Sequence, residues 1–330
     1  RRREATMGEL LSVVVALALG VGGVMVLFWA LNAAVERLPE EWEQRLKPYV
    51  FVGPALLVVG LFLLYPAVDT FVRSFQDLRS EEWVGLDNYR YLATDQNARS
   101  AIWNNVLWIV VVPTLSVGVG LAVAVLADKL TTRWESISKS MIFLPMAISF
   151  VGASTIWLFV YAWRLEGRPQ IGVLNAIVTR LGAAPISWTQ NAAINDFALM
   201  VIMIWLQAGF AMVLLSAAIK NVPEETLEAA RIDGATETQI FWRIVLPQIA
   251  STIVVVGTTI LILVLKVFDI VFVMTNGNFG TEVVANLFVK QMITFGNFGR
   301  AAVIVVFLIV VTVPFMVINI RRFREQEATR

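Results

Sequence analysis

Seven stretches of this chain, roughly residues 10–35, 50–72, 104–127, 141–163, 197–219, 249–273 and 301–320, are apolar for as long as a helix needs to cross a bilayer. A backbone in lipid must satisfy its own N–H and C=O groups, and runs of this length do so as helices. The composition agrees: 58% hydrophobic and only 15% charged residues leave too little polar surface for a water-soluble chain of 330 residues. The expected fold class is an all-α integral membrane protein with lipid as its main solvent. Pro54, Pro66, Pro113, Pro145 and Pro314 fall in or near the runs, where neighbouring helices can satisfy the freed carbonyls. Trp29, Trp103, Trp157, Trp163 and Trp188 lie near run ends, as interfacial anchors do. The first run has no small-x-small cleavage site and reads as a spanning helix; a start at Arg1, Arg2 and Arg3 without Met reads as a trimmed or partial terminus.

A net charge of +1 provides no basic field for nucleic acid. The absence of cysteine and histidine excludes disulfides, thiolate or imidazole metal sites and histidine-based acid-base catalysis. No catalytic residue and no metal ligand is assigned. Basic residues orient the chain. Residues 128–140 (Lys129, Arg133, Lys139), the polar insert near 220–248 (Lys220, Arg231, Arg243) and the tail (Arg321, Arg322, Arg324, Arg330) fall on one side, which the positive-inside rule makes cytoplasmic. The opposite connections, 73–101, 164–196 and 275–300, are longer and less densely basic. Seven spans with an inside tail would put the amino terminus outside, but the basic residues flanking the first run are balanced and do not decide it.

The polar insert between the fifth and sixth runs reads Pro223, Glu224, Glu225, Thr226, Leu227, Glu228, Ala229, Ala230, Arg231, Ile232, Asp233, Gly234, and after nine more residues Ile244, Val245, Leu246, Pro247. Pro223 suits a first helical position, and Glu224 and Glu225 suit the positive end of the helix dipole. Glu228 and Arg231 are spaced to pair, and Ala229 with Ala230 keeps the surface thin for a partner. Gly234 should stop the helix, and Thr236 with Gln239 should open a second one through a capping box. A helix, turn and helix at the membrane edge is a docking device.

This insert resembles the signature loop of permease subunits of ATP-binding-cassette importers at every patterned position. Other segments resemble the maltose-type, carbohydrate-uptake branch: Tyr49 to Pro66 with Ser74, the run Val84, Gly85, Leu86, Asp87, Asn88, Tyr89, the pair Leu144 and Pro145, and Lys266 to Asp269 followed by Thr275, Asn276, Gly277. Residues 266–282, carrying Asn278, Phe279, Gly280 and Thr281, and the exit Glu36, Arg37, Leu38, Pro39 look most like the alpha-glucoside subgroup. The resemblance implies six core helices plus one accessory helix, arranged as residues 1–48 (accessory helix and connector), 49–320 (transmembrane domain with a coupling loop at 220–248) and 321–330 (cytoplasmic tail). It implies sugar import by alternating access in a bacterial cytoplasmic membrane. The implied partners are a second, different permease, two ATPases and an extracytoplasmic sugar-binding protein. No Walker sequence occurs in this chain, so ATP and Mg2+ belong to the ATPase, which Glu224, Glu225, Glu228, Ala229, Ala230, Arg231, Asp233 and Gly234 are expected to engage.

Positions that contact sugar in maltose-type relatives carry over to Met146 and Phe150, then Met203, Leu206 and Gln207, then Ile260, Leu263 and Val264. Gln207 is the only polar member. Either the partner permease or a neighbour such as Ser149 supplies the remaining hydrogen bonds, or this subunit merely lines the path, as its apolar residues favour. Lys266 and Asp269, one helical turn apart, should pair or snorkel as a helix anchor, or else form a gate. Four alternatives compete: an ATP-independent secondary transporter or channel, a membrane-embedded enzyme, an importer permease for a non-sugar solute, or a membrane scaffold with no transport role, which leaves the insert unexplained. Midspan charges, internal repeats and a catalytic cluster, which the first two would need, are not evident.

Overall fold

The structure, a computed structural model, describes residues 20 and 22–328. Residues 10–19 and 21 of the first apolar run lie outside the described residues. By its contacts the chain divides into two compact units, Arg1–Thr70 and Phe71–Arg330. The first contains a short apolar helix, α1 (Gly22–Val35), and most of α2 (Glu40–Arg73), which carries one wide π turn at Gly60–Leu64. Glu40, Glu41 and Glu43 occupy the first turn of α2, where the helix dipole favours acids. No residue of Glu40–Val59 is buried, and Leu57, Phe62 and Leu63 are exposed, a surface suited to acyl chains rather than water.

The second unit holds α3 (Asp87–Thr94), α4 (Gln96–Ala127), α5 (Thr132–Phe143), α6 (Phe150–Val160), α7 (Val173–Arg180), α8 (Asn195–Lys220), α9 (Glu224–Ile232), α10 (Glu237–Gln248), α11 (Ala250–Leu265), α12 (Asp269–Met274), α13 (Val284–Val289) and α14 (Phe298–Ala328). Among the described residues there is no strand beyond one isolated bridge between Gln76 and Trp83. Four described helices are long and apolar enough to cross a membrane, or six if each of two bent pairs forms one span.

The first bent pair corrects the expectation of a continuous helix at 141–163; the second bends at the start of the run expected at 249–273, which is interrupted further on, between Leu265 and Asp269. After α5, Leu144–Ala147 tightens into a 3-10 turn, Ile148 is extended, and α6 leaves at 105°. Ser149 makes the restart possible, because its Oγ accepts from Gly152 N at 3.1 Å and caps α6. The second break lies at Ile249, two residues after Pro247, where α10 and α11 meet at 65°. The same run then ends early, at Leu265.

The centre of the second unit is α8. Of its most apolar window 67% is buried, against 28% for α4 and 22% for α14, so the other helices pack around it. Met203, Leu206, Met212 and Leu215 meet Trp108 and Val112 of α4, Ala153 of α6, Val256 and Ile260 of α11, and Ile270 of α12. Trp157 and Trp188, expected as interfacial anchors, pack inward against the core. They lie tilted against Tyr161, with ring centroids at 5.0 and 6.0 Å, and the Tyr161 hydroxyl donates to Ala198 O at 2.8 Å.

The 32-residue α4 spans about 48 Å at 1.5 Å per residue, and separates two polar ends. At its start, Asn104 Nδ2 donates to Gly280 O (2.6 Å) and Glu282 O (2.8 Å), while Asn105 Oδ1 accepts from Val284 N (2.8 Å). Asn195, opening α8, donates to Phe279 O at 2.8 Å. These bonds hold a sharp loop in which Asn276 and Phe279 take positive φ, an unusual state for side chains larger than glycine. Glu282, 1% exposed, is neutralised by Lys290 at 2.6 Å. At the other end of α4, residues from 128 to 139 join Ser216 and Lys220, next to α9 and α10. The basic segments at 128–140 and 220–248 therefore share one end, as their charge indicates.

Candidate functional site

The helix, turn and helix at 223–248 forms as its residues dictate. Pro223 is not the first helical residue but precedes it, with an extended ψ of 128°, and α9 begins at Glu224 with Glu225 beside it in the first turn. Asp233 ends α9, and Gly234 takes φ +83°, a value a β-carbon disfavours. The capping box is present: Thr236 N donates to Gln239 Oε1 at 2.8 Å and Gln239 N to Thr236 Oγ1 at 3.4 Å. Leu227 and Ala230, three apart, turn inward and pack with Val222, Ile240, Val245 and Ile249. Glu224, Glu225, Glu228, Ala229, Arg231, Asp233 and Gly234 are exposed. Ala230 supports the helix from beneath instead of thinning its outer surface.

Arg231 does not pair with Glu228. Its Nε donates to Glu237 Oε1 at 2.8 Å, so the ion pair bridges the turn and fixes α9 against α10. Through that hydrogen bond first, and charge second, Glu237 holds the Arg231 guanidinium above its ordinary range. Sequence reasoning missed Ile232, 85% exposed at the tip of α9. An apolar residue closing a run of charges was the available signal, and such a knob suits a partner's groove. A cleft of about 700 Å3 lies behind the pair, lined by Leu227, Arg231, Phe241 and by Asp128, Lys129 and Lys220.

Seven of the nine path residues line two cavities at the α5–α6 break. A cavity of about 290 Å3 is lined by Met146, Ile148, Ser149, Phe150, Leu206, Gln207, Phe210, Thr259 and Leu263. A second, of about 170 Å3, shares Phe150 and Leu263 and adds Met203, Lys266, Val267, Phe268, Asp269 and Ile270. Irregular backbone at membrane depth is tolerated where it lines such a space, which is where this break lies. Gln207 is 5% exposed and its side chain makes no hydrogen bond within the described residues, so its amide is available to the cavity. Ser149 Oγ accepts from Gly152 N yet keeps its own proton to donate. Thr259 Oγ1 donates to Val255 O at 2.8 Å and retains a lone pair. Phe210 and Thr259 were missed by the sequence; neither is distinguishable there from ordinary helix packing.

Two expectations are corrected. Ile260 and Val264 are fully buried in the core and line neither cavity. Lys266 and Asp269 are not one turn apart on a helix: α11 stops at Leu265, Phe268 takes φ −139° and ψ −61°, and Asp269 opens α12. Among the described residues no ion pair joins them; both border the smaller cavity.

Continuous and broken apolar helices around a cavity, with a polar helix pair at one end, suit a membrane transport subunit. The profile of the family described as binding-protein-dependent transport system inner membrane component matches residues 116–321. The chain belongs to this family and is a permease subunit of an ABC importer. It is 57% identical over 281 residues to the osmoprotective compounds uptake permease protein GgtC of Synechocystis, covering 85% of this chain and 100% of that protein. It is 45% identical over 329 residues to the alpha-glucoside transport system permease protein AglF of Rhizobium meliloti, covering 96% and 97%. In fold it is similar to a chain of a bacterial ABC transporter that imports the acidic polysaccharide alginate, with a TM-score of 0.72, 20% identity and coverage of 88% and 99%.

Proposed function

We propose that this subunit imports a small, neutral, hydroxyl-rich sugar, an alpha-glucoside such as a disaccharide, across a bacterial cytoplasmic membrane. The reading rests on the unpaired Gln207 amide, which faces a cavity also bearing Phe150, Phe210, Ser149 and Thr259. Sugars need donors, acceptors and flat apolar faces together, and this wall offers all three. The similarity to AglF supports the same class. In this reading the subunit works with a second, different permease, an extracytoplasmic sugar-binding protein and two ATPases. The ATPases hold ATP and Mg2+ and hydrolyse the nucleotide, and α9 with Ile232 seats on one of them. Its closure moves the helices between outward-open and inward-open states.

A second reading, favoured by the similarity to GgtC, is a small osmoprotective solute. A zwitterion could use Lys266 and Asp269 at the smaller cavity, where a neutral sugar would not need them. Uptake by the reconstituted complex separates the two. Competition by α-linked disaccharides and none by glycine betaine supports the sugar; the reverse pattern, abolished by Asp269→Asn, replaces it.

A further inference from the structure

The ends of α4, α5 and α8 nearest the coupling pair meet in a charge cluster. Asp128 directly follows α4, Glu135 and Lys139 lie one turn apart on α5, and Ser216 and Lys220 lie one turn apart on α8. Lys139 Nζ donates to Asp128 Oδ1 at 2.8 Å, to Glu135 and to Ser216 Oγ, and Ser216 Oγ donates to Asp128 Oδ1 at 3.1 Å. Lys220 pairs with Glu135 and stands 3.9 Å from Asp128. Two cations meet two carboxylates, so the charges cancel. The side chains of Asp128, Glu135 and Lys139 are 19%, 15% and 18% exposed and that of Lys220 is 54% exposed, so Lys220 reaches from the rim to a carboxylate that the cluster shields and Lys139 already orients.

A second clamp lies further along the same two helices. Gly209 of α8 packs against Ile142 and Phe143 at the end of α5; a β-carbon there would stand 2.8 Å from Phe143 Cα, so a larger residue would separate the helices. Fixed at two levels, α5 and α8 form one stiff arm. One end of the arm is Lys220, followed by Asn221, Val222 and Pro223 and then α9. The other carries Met146, just past α5, with Leu206, Gln207 and Phe210 on α8, one wall of the larger cavity. The facing residues, Thr259 and Leu263, belong to α11, beyond the bend at Ile249.

We infer that Glu135 and Lys220 are positioning residues: their ionic clasp locks α5 to α8, so that a push on the coupling pair arrives undiminished at the Met146 and Gln207 wall of the cavity. The inference depends on the coupling role proposed for α9 and α10. It makes a specific demand, that α5 and α8 never slide past each other during transport.

The chain has no cysteine, so a paired substitution tests this in the full complex reconstituted in liposomes. Unlinked Glu135→Cys/Lys220→Cys should continue to hydrolyse ATP while solute uptake per ATP falls about fivefold. Joining the two thiols with a short bifunctional reagent should bring uptake per ATP back to within about twofold of the parent treated identically. Parental coupling in the unlinked form would overturn the clasp, and so would a linked form that hydrolyses ATP without transporting, since that requires the helices to slide. If the cysteine pair does not assemble, Glu135→Gln, Lys220→Gln and their double variant serve: the double should be no worse than the worse single, and additive losses would overturn the clasp. Gly234→Pro separates the two levels. Normal uptake by that variant removes the coupling role itself, whereas its loss beside parental clasp variants removes only the clasp.

Discussion

Gln207 concentrates the chemistry of the cavity in one side chain. Buried polar groups are normally paired, and an unpaired amide facing a cavity is an unused recognition group. Gln207→Leu keeps most of the volume and removes both donor and acceptor. It should raise KM for the imported sugar about tenfold, the worth of one or two hydrogen bonds, while the complex assembles normally. Kinetics unchanged for every accepted sugar would remove Gln207 from the site. Its place at the cavity was anticipated from the resemblance to maltose-type permeases, in which it is the only polar member of the carried-over set. Thr259 and Phe210 were not, because a threonine or phenylalanine on a membrane helix has the same local signature whether it packs or binds. Ile260 and Val264 show the converse: being near the site in sequence placed them in the core, on the wrong face of α11.

At the scale of elements, the coupling pair was the most legible part of the chain, since caps and stops are local. Thr236, Gln239 and Gly234 each act within a few residues, and each does what its position indicates. The Arg231 partner was misread for the same reason: helical spacing favours Glu228, and only the fold of the turn brings Glu237 closer. Gly234→Pro forces φ toward −65° where the turn needs +83° and removes the donor to Arg231 O at 3.1 Å. It should cut uptake about tenfold or more while the subunit still inserts, measured as uptake against membrane content of the protein. The breaks at Ile148 and Ile249 were hidden because a hydropathy run records how apolar a segment is, not whether it is straight. Pro145, Ser149 and Pro247 were their local signs, but proline also occurs in unbroken helices, as Pro113 does inside α4.

At the scale of the molecule, the all-helical membrane fold followed from the lengths of the apolar runs, and the meeting of segments 128–140 and 220–248 at one end from lysine and arginine. The convergence of α5, α6, α8 and α11 on one cavity did not, because it depends on two bends and on Gly209 admitting α5 closely. The central claim is that α9 is a cytoplasmic contact for an ATPase. Because the chain lacks cysteine, Glu228→Cys carries a single exposed thiol for a membrane-impermeant maleimide. The thiol should resist label applied to intact cells, react in inside-out vesicles lacking the ATPase, and be shielded once the ATPase is bound. Labelling from the outside, or equal labelling with and without the ATPase, would contradict the account.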